Sequence, residues 1–114
     1  MGGEISALVQ STINQHGVNT MKVENMTSSR GNTIANQFEI YDNDNNVSYF
    51  QSYQSIIVKN DAEGQIWLDE NKWDYSVTTG KYRNLYLGEN KAETLKKIKS
   101  GIYKLTDLNR KAVA

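Results

Sequence analysis

The residues best placed to do chemistry lie in one stretch, WDYSVTTGKYRN, at positions 73–84. Its centre, TTGKY, is similar to the close of a phosphate-binding loop. That motif needs a glycine five residues before its second glycine, and a serine or threonine after its lysine to hold magnesium. Tyr75 takes the first of these places and Tyr82 the last. Nucleotide binding of that kind is therefore not expected. What remains is a weaker anion site: Thr78 capping a helix whose first turn exposes backbone N–H groups, with Lys81 and Arg83 adding charge.

Other candidate chemistries fail on their residue types. In DNDNN, residues 42–46, Asp42, Asp44 and Asn46 match the first ligands of a calcium loop, but Val47 stands at its glycine and Tyr53 at its bidentate glutamate. His16 is the only histidine and cysteine is absent, which leaves no partner for a zinc site or a catalytic triad. The carboxylate pair Asp69–Glu70 sits in polar loop sequence. The reading is non-enzymatic, with no catalytic residue, no cofactor and no metal.

Charge gives the strongest signal. Of 114 residues, 13 are basic and 13 acidic. Residues 1–70 nonetheless carry three basic groups against nine acidic ones, a net of −6, and residues 71–114 carry ten against four, a net of +6. A positive second half points to an anionic partner. Lys81, Arg83, Lys91, Lys96, Lys97 and Lys99 are the candidate nucleic-acid contacts, with Tyr49 and Tyr53 as possible stacking partners for unpaired bases. The opposite halves could also neutralise one another within the fold, or associate head to tail as a homo-oligomer.

These residues need elements to position them. In EISALVQSTINQ, residues 4–15, Ile5, Leu8, Val9 and Ile13 make one helical stripe that Gly17 can end. A two-residue alternation follows, with Met21 and Val23 set against Thr20, Lys22 and Glu24. In TIANQFEIY, residues 33–41, Ile34, Phe38 and Ile40 are assigned to one face and Gln37, Glu39 and Tyr41 to the other. VSYFQSY, SIIVK and QIWLD continue the strands, separated by the turn sequences DNDNN and NDAEG. Tyr49 and Tyr53 fall on the face opposite Phe50, and the tyrosines are expected to lie beneath the C-terminal helices.

Beyond residue 77 the period becomes helical. Tyr82, Leu85 and Tyr86 form an inward stripe with Gly88 as the stop. Asn90 and Glu93 resemble a capping box opening a second helix, whose inward stripe is Ala92, Leu95 and Ile98 and whose stop is Gly101. IYKLTDLN returns as an extended segment with a last turn. Trp73, Tyr75 and Tyr82 are the expected packing anchors where sheet meets helix.

The succession NQFEI, YFQSYQSIIVK, WLDENKWDYSVTTGKYRNLYLGE and ETLKKIKSGIYKLTDLN resembles a family of small uncharacterised proteins encoded by bacteriophages and prophages. The likeness covers about residues 36–109. It implies a viral origin and action in a bacterial cytoplasm, and it brings no catalytic residue with it.

The expected architecture is a single α+β domain over residues 1–114. It comprises an N-terminal helix (1–17), an antiparallel sheet of four or five strands in a meander (18–70), a part with two helices packed on the sheet (71–109) and a frayed tail (110–114). Apolar runs reach three residues, as in Ile56-Ile57-Val58, and no signal-peptide pattern opens the chain. A soluble cytoplasmic protein, of an infected or lysogenic bacterial host, is expected, with no membrane partner. The leading function is an accessory protein that binds nucleic acid through its basic C-terminal helices. The alternative is a protein-binding effector or inhibitor of a host enzyme or defence system.

Overall fold

The computed structural model describes residues 21–110. Five strands follow one another as a meander: β1 (Met21–Thr27), β2 (Thr33–Asp42), β3 (Val47–Ser52), β4 (Ser55–Asn60) and β5 (Ile66–Asp69). Two helices, α1 (Val77–Leu87) and α2 (Lys91–Lys99), then lead to β6 (Lys104–Thr106). The sheet order is β1-β2-β3-β4-β5-β6. The first four pairings are antiparallel, and β6 pairs with β5 in parallel. A parallel partner cannot be reached by a tight turn, so the chain must cross a sheet face between β5 and β6. The two helices are that crossing. The expected four or five antiparallel strands thus become six, one of them parallel. The expected N-terminal helix over residues 1–17 and the tail from 111 lie outside the described residues.

The sheet buries side chains on both faces. Under the helices, Met26, Phe50, Ile57, Val58, Leu68 and Tyr103 form one buried cluster, with Trp73, Tyr82, Tyr86, Leu87 and Ile98 packed against it. Met21, Ile40, Tyr49 and Ile56 form a second cluster, with Val23, Val47 and Leu108 against it. The register assigns the second cluster to the opposite face, because Ile40 pairs with Tyr49 and the neighbouring Glu39 pairs with Phe50. Burying each of these large apolar side chains contributes about 1.5–3 kcal/mol.

A bulge explains the run Ile56-Ile57-Val58. Phe50 pairs with Val58 and Gln51 with Ile56, so Ile57 is the extra residue between them. Ile57 and Val58 therefore both join the helix-side cluster, while Ile56 points the other way. A similar break displaces Ile34. Asn36 adopts a positive φ of 65°, the alternation resets there, and Ile34 packs with the helix-side cluster instead of sharing a face with Phe38 and Ile40. Tyr49 is also corrected: it lies on the face away from the helices, and Phe50 is the residue beneath them, its ring stacked on Tyr86 at 5.7 Å.

The turns hold themselves by side-chain oxygens. Asp42 accepts from the Asn45 backbone N–H at 3.2 Å and its side-chain amide at 2.8 Å. Asp61 accepts from the N–H groups of Glu63 and Gln65 and from the Trp67 indole. The indole bond is the largest cause that keeps the Asp61 carboxyl below its ordinary pKa. No helix among the described residues is long and apolar enough to cross a membrane.

Candidate functional site

The corner that opens on Trp73 is fixed by a cap at the start of α1 and a tie from that start to the sheet. Ser76 caps α1, its side-chain oxygen accepting from the Thr79 N–H at 3.1 Å. The expected cap, Thr78, sits instead inside the first turn. Thr79 is fully buried and its hydroxyl lies 2.9 Å from that of Ser52, which ties the helix start to the end of β3. At the other end of α1, Gly88 takes φ 70° and its N–H bonds the Asn84 carbonyl, the left-handed stop that glycine accepts without strain.

Arg83 is the centre of this corner and not a surface cation. It is 1% exposed. One terminal nitrogen donates to the Trp73 carbonyl at 2.6 Å and to Asp74 Oδ1 at 3.3 Å, and the other donates to Asn84 Oδ1 at 2.8 Å. Its guanidinium lies over the Trp73 ring, 5.2 Å from the centroid. Nε has no acceptor among the described residues. Asp74 also accepts from Lys91 Nζ at 2.6 Å. Partial burial pushes the Asp74 carboxyl up, but the bonds from Lys91 and Arg83 outweigh it and hold the group below its ordinary pKa.

The remaining cations divide by their partners. Lys97 is held by Glu89 Oε1 at 2.6 Å and lies over the Tyr103 ring at 5.2 Å. Lys81 is exposed on α1, its Nζ 5.2 Å from the Tyr82 ring centroid. Lys96 and Lys99 are exposed on α2 and make no ion pair among the described residues. The structure thus brings Lys81, Arg83 and Lys91 to one corner and sets Lys96 and Lys99 out on α2. The sequence charge of this half is partly spent inside the fold on Asp74 and Glu89. Two inward stripes also differ from expectation, since Ala92 and Leu85 are exposed and Thr94 is the buried residue of α2.

The aromatic residues sort in an unexpected way. Tyr49 is 9% exposed and offers no free ring face. Tyr53 is 48% exposed in the β3–β4 turn, at φ 57°. Trp73 and Tyr82 pack against the helix-side core as expected. Tyr75, expected as a third anchor, is 47% exposed, with Lys72 Nζ 5.1 Å from its ring centroid.

Tyr75 borders a groove of about 560 Å³ at the start of α1, lined also by Asp74, Val77, Lys81, Arg83 and Lys91. A second hollow, about 340 Å³, lies among the polar turns around Asp42, Asn46 and Asp61. No group of three or more metal-ligating side chains is found among the described residues. Sequence reasoning misses the groove because it assigns Tyr75 to the packing of the sheet-to-helix junction. Its only sequence signal is a tyrosine one residue before a capping serine, between two basic side chains.

Residues 21–101 match the model of a family of unknown function (DUF8033). No curated protein and no solved structure matches the chain.

Proposed function

The chain belongs to the DUF8033 family of unknown function, and we propose that it is a small non-enzymatic binding protein whose partner is nucleic acid. The observation that carries this reading is the set of exposed cations on the two helices. Lys96 and Lys99 on α2 are exposed without an ion pair among the described residues, and Lys81 on α1 is exposed beside Tyr82. Uncompensated lysines on rigid helices neutralise phosphates and release counterions. Arg83, being buried, supports the corner and makes no phosphate contact. Lys91 and Lys97 contribute in part, because each already faces a carboxylate. The likeness of the motifs to phage- and prophage-encoded proteins supports a setting in the cytoplasm of an infected or lysogenic bacterium.

The test is binding of labelled DNA and RNA, single- and double-stranded, across a salt series. Affinity should fall with a steep log–log slope in salt, and Lys96→Glu with Lys99→Glu should flatten that slope. Absence of binding at low salt ends the reading. A second reading, a protein-binding effector, is favoured by Val77 and Leu85, which are 91% and 55% exposed and flank Lys81 at helical spacing on α1. Retention of a bacterial protein that Leu85→Glu abolishes would favour it.

A further inference from the structure

We infer that the nucleic acid is single-stranded and that Tyr75, in the groove at the start of α1, is the platform on which one of its bases stacks. The inference rests on the nucleic-acid reading above and adds a strand class and a contact residue to it. Of the two tyrosines that the sequence offered for stacking, Tyr49 is packed among Met21, Ile40 and Ile56 on the far face of the sheet. Tyr53 is exposed but stands in the β3–β4 turn and borders neither hollow described above. Tyr75 alone of the three combines an exposed ring with a concave surface and with cations.

The groove has the dimensions and charge for a nucleotide unit. Its volume of about 560 Å³ lies within the roughly 300–1,000 Å³ typical of small-ligand sites. Lys81 and Lys91 present exposed ammonium groups to it against the single carboxylate of Asp74, while the buried Arg83 is held inward by its own acceptors. That carboxylate is already matched, by Lys91 at 2.6 Å and Arg83 at 3.3 Å. A net positive field therefore remains where a phosphate would lie. Lys72 lies over one face of the Tyr75 ring and adds a further cation there, so a base takes the opposite face or displaces its ammonium. Val77, 91% exposed at the rim, supplies an apolar edge.

A duplex cannot use this arrangement. Its base faces are covered by their neighbours, and only an unstacked base can lie flat on an aromatic ring. Outward lysines alone would serve either strand class through phosphates. The exposed ring inside a positive groove is what selects the single strand.

The experiment compares a labelled oligothymidylate with a duplex of equal length, by fluorescence anisotropy, using the full chain and the variants Tyr75→Ala, Tyr75→Phe and Lys81→Gln. The single strand should bind about tenfold more tightly than the duplex. Tyr75→Ala should weaken single-strand binding about tenfold while leaving the salt slope unchanged, and Tyr75→Phe should retain binding. Lys81→Gln should lower the log–log salt slope by about 0.7. Equal or tighter duplex binding, an unaffected Tyr75→Ala, or a Tyr75→Phe as weak as Tyr75→Ala overturns this inference and leaves nucleic-acid binding standing. No binding to any nucleic acid at low salt overturns both. Thermal unfolding of the Tyr75 variants should match the parent, because the ring is half exposed.

Discussion

Arg83 and Trp73 form one unit: the guanidinium donates to the Trp73 carbonyl at 2.6 Å and lies over the ring of the same residue, 5.2 Å from its centroid. The arginine thereby fastens α1 to the segment that leaves β5. Asp74 and Asn84 take further guanidinium bonds, so the charge is buried with planar, directional partners that an ammonium group cannot reproduce.

Replacing Arg83 should therefore cost stability and spare surface binding. Arg83→Met and Arg83→Lys are each expected to destabilise the fold by about 3 kcal/mol, read from the urea midpoint at unchanged m-value. Nucleic-acid affinity at a temperature where the variants stay folded should be unchanged, with the same salt slope. A flattened salt slope with no loss of stability would show that Arg83 acts on phosphates after all.

Asn109 completes the sheet by a different route. Its side-chain oxygen accepts from the Ile56 N–H at 2.7 Å, and its side-chain nitrogen donates to the Ile56 carbonyl at 2.8 Å. Strand β5 pairs with β4 only from Val58 to Asn60, and the Asn109 amide stands in for a strand beyond that point. Asn109→Ala should cost about 1–2 kcal/mol, since it strands two backbone groups. Asn109→Asp should cost more at neutral pH than at pH 3, because a carboxylate offers no donor to the Ile56 carbonyl. Equal thermal shifts for Asn109→Asp at both pH values would contradict this account.

What could be read from the sequence here is what is decided within a few residues. Asn90 and Glu93 form the capping box their spacing promised, with reciprocal bonds of 2.9 Å, because a capping box is closed by residues three apart. Gly88 as a helix stop was legible for the same reason. Long-range choices were not. IYKLTDLN reads as extended, but nothing in it names β5 as a parallel neighbour. The bulge at Ile57 shifts β4 by one residue and the break at Asn36 shifts β2 by three, and an odd shift exchanges the two faces. Charge was legible only as a count: Arg83 and Lys96 look alike in sequence, and only tertiary packing distinguishes a buried guanidinium from a free ammonium.

Glu89 gives the fold a defined response to acid. Its carboxylate accepts from Thr94 Oγ1 at 2.6 Å, Lys97 Nζ at 2.6 Å and the Tyr103 hydroxyl at 2.9 Å. It thus joins the α1–α2 connection to α2 and to the residue before β6. Burial pushes its pKa up, but these bonds outweigh burial and hold it below its ordinary 4.5. A carboxylate of lower pKa in the folded state stabilises fully above the unfolded value and stops doing so as pH falls through the folded one. Glu89→Gln should therefore unfold at a lower temperature than the parent at pH 7, and the gap should narrow as pH falls below 4.5. A gap that stays constant down to pH 2 would remove the ionised form of Glu89 from the explanation.

Two glycines of α1 should respond in opposite directions to the same substitution. Gly80 lies inside the helix, and a Cβ there would meet the Arg83 terminal nitrogens at 3.7 Å and Asp74 Oδ1 at 3.9 Å, ordinary contact distances. Alanine would restrict the unfolded chain at no steric cost, so Gly80→Ala should stabilise by about 0.5–1 kcal/mol. Gly88 has open space around it but a φ of +70°, where a Cβ meets its own backbone. Gly88→Ala should destabilise by about 1 kcal/mol. Thermal melts of the two variants check the pair. Destabilisation by Gly80→Ala would mean that the Arg83 guanidinium has no room to yield, and that the corner around Trp73 depends on the missing methyl.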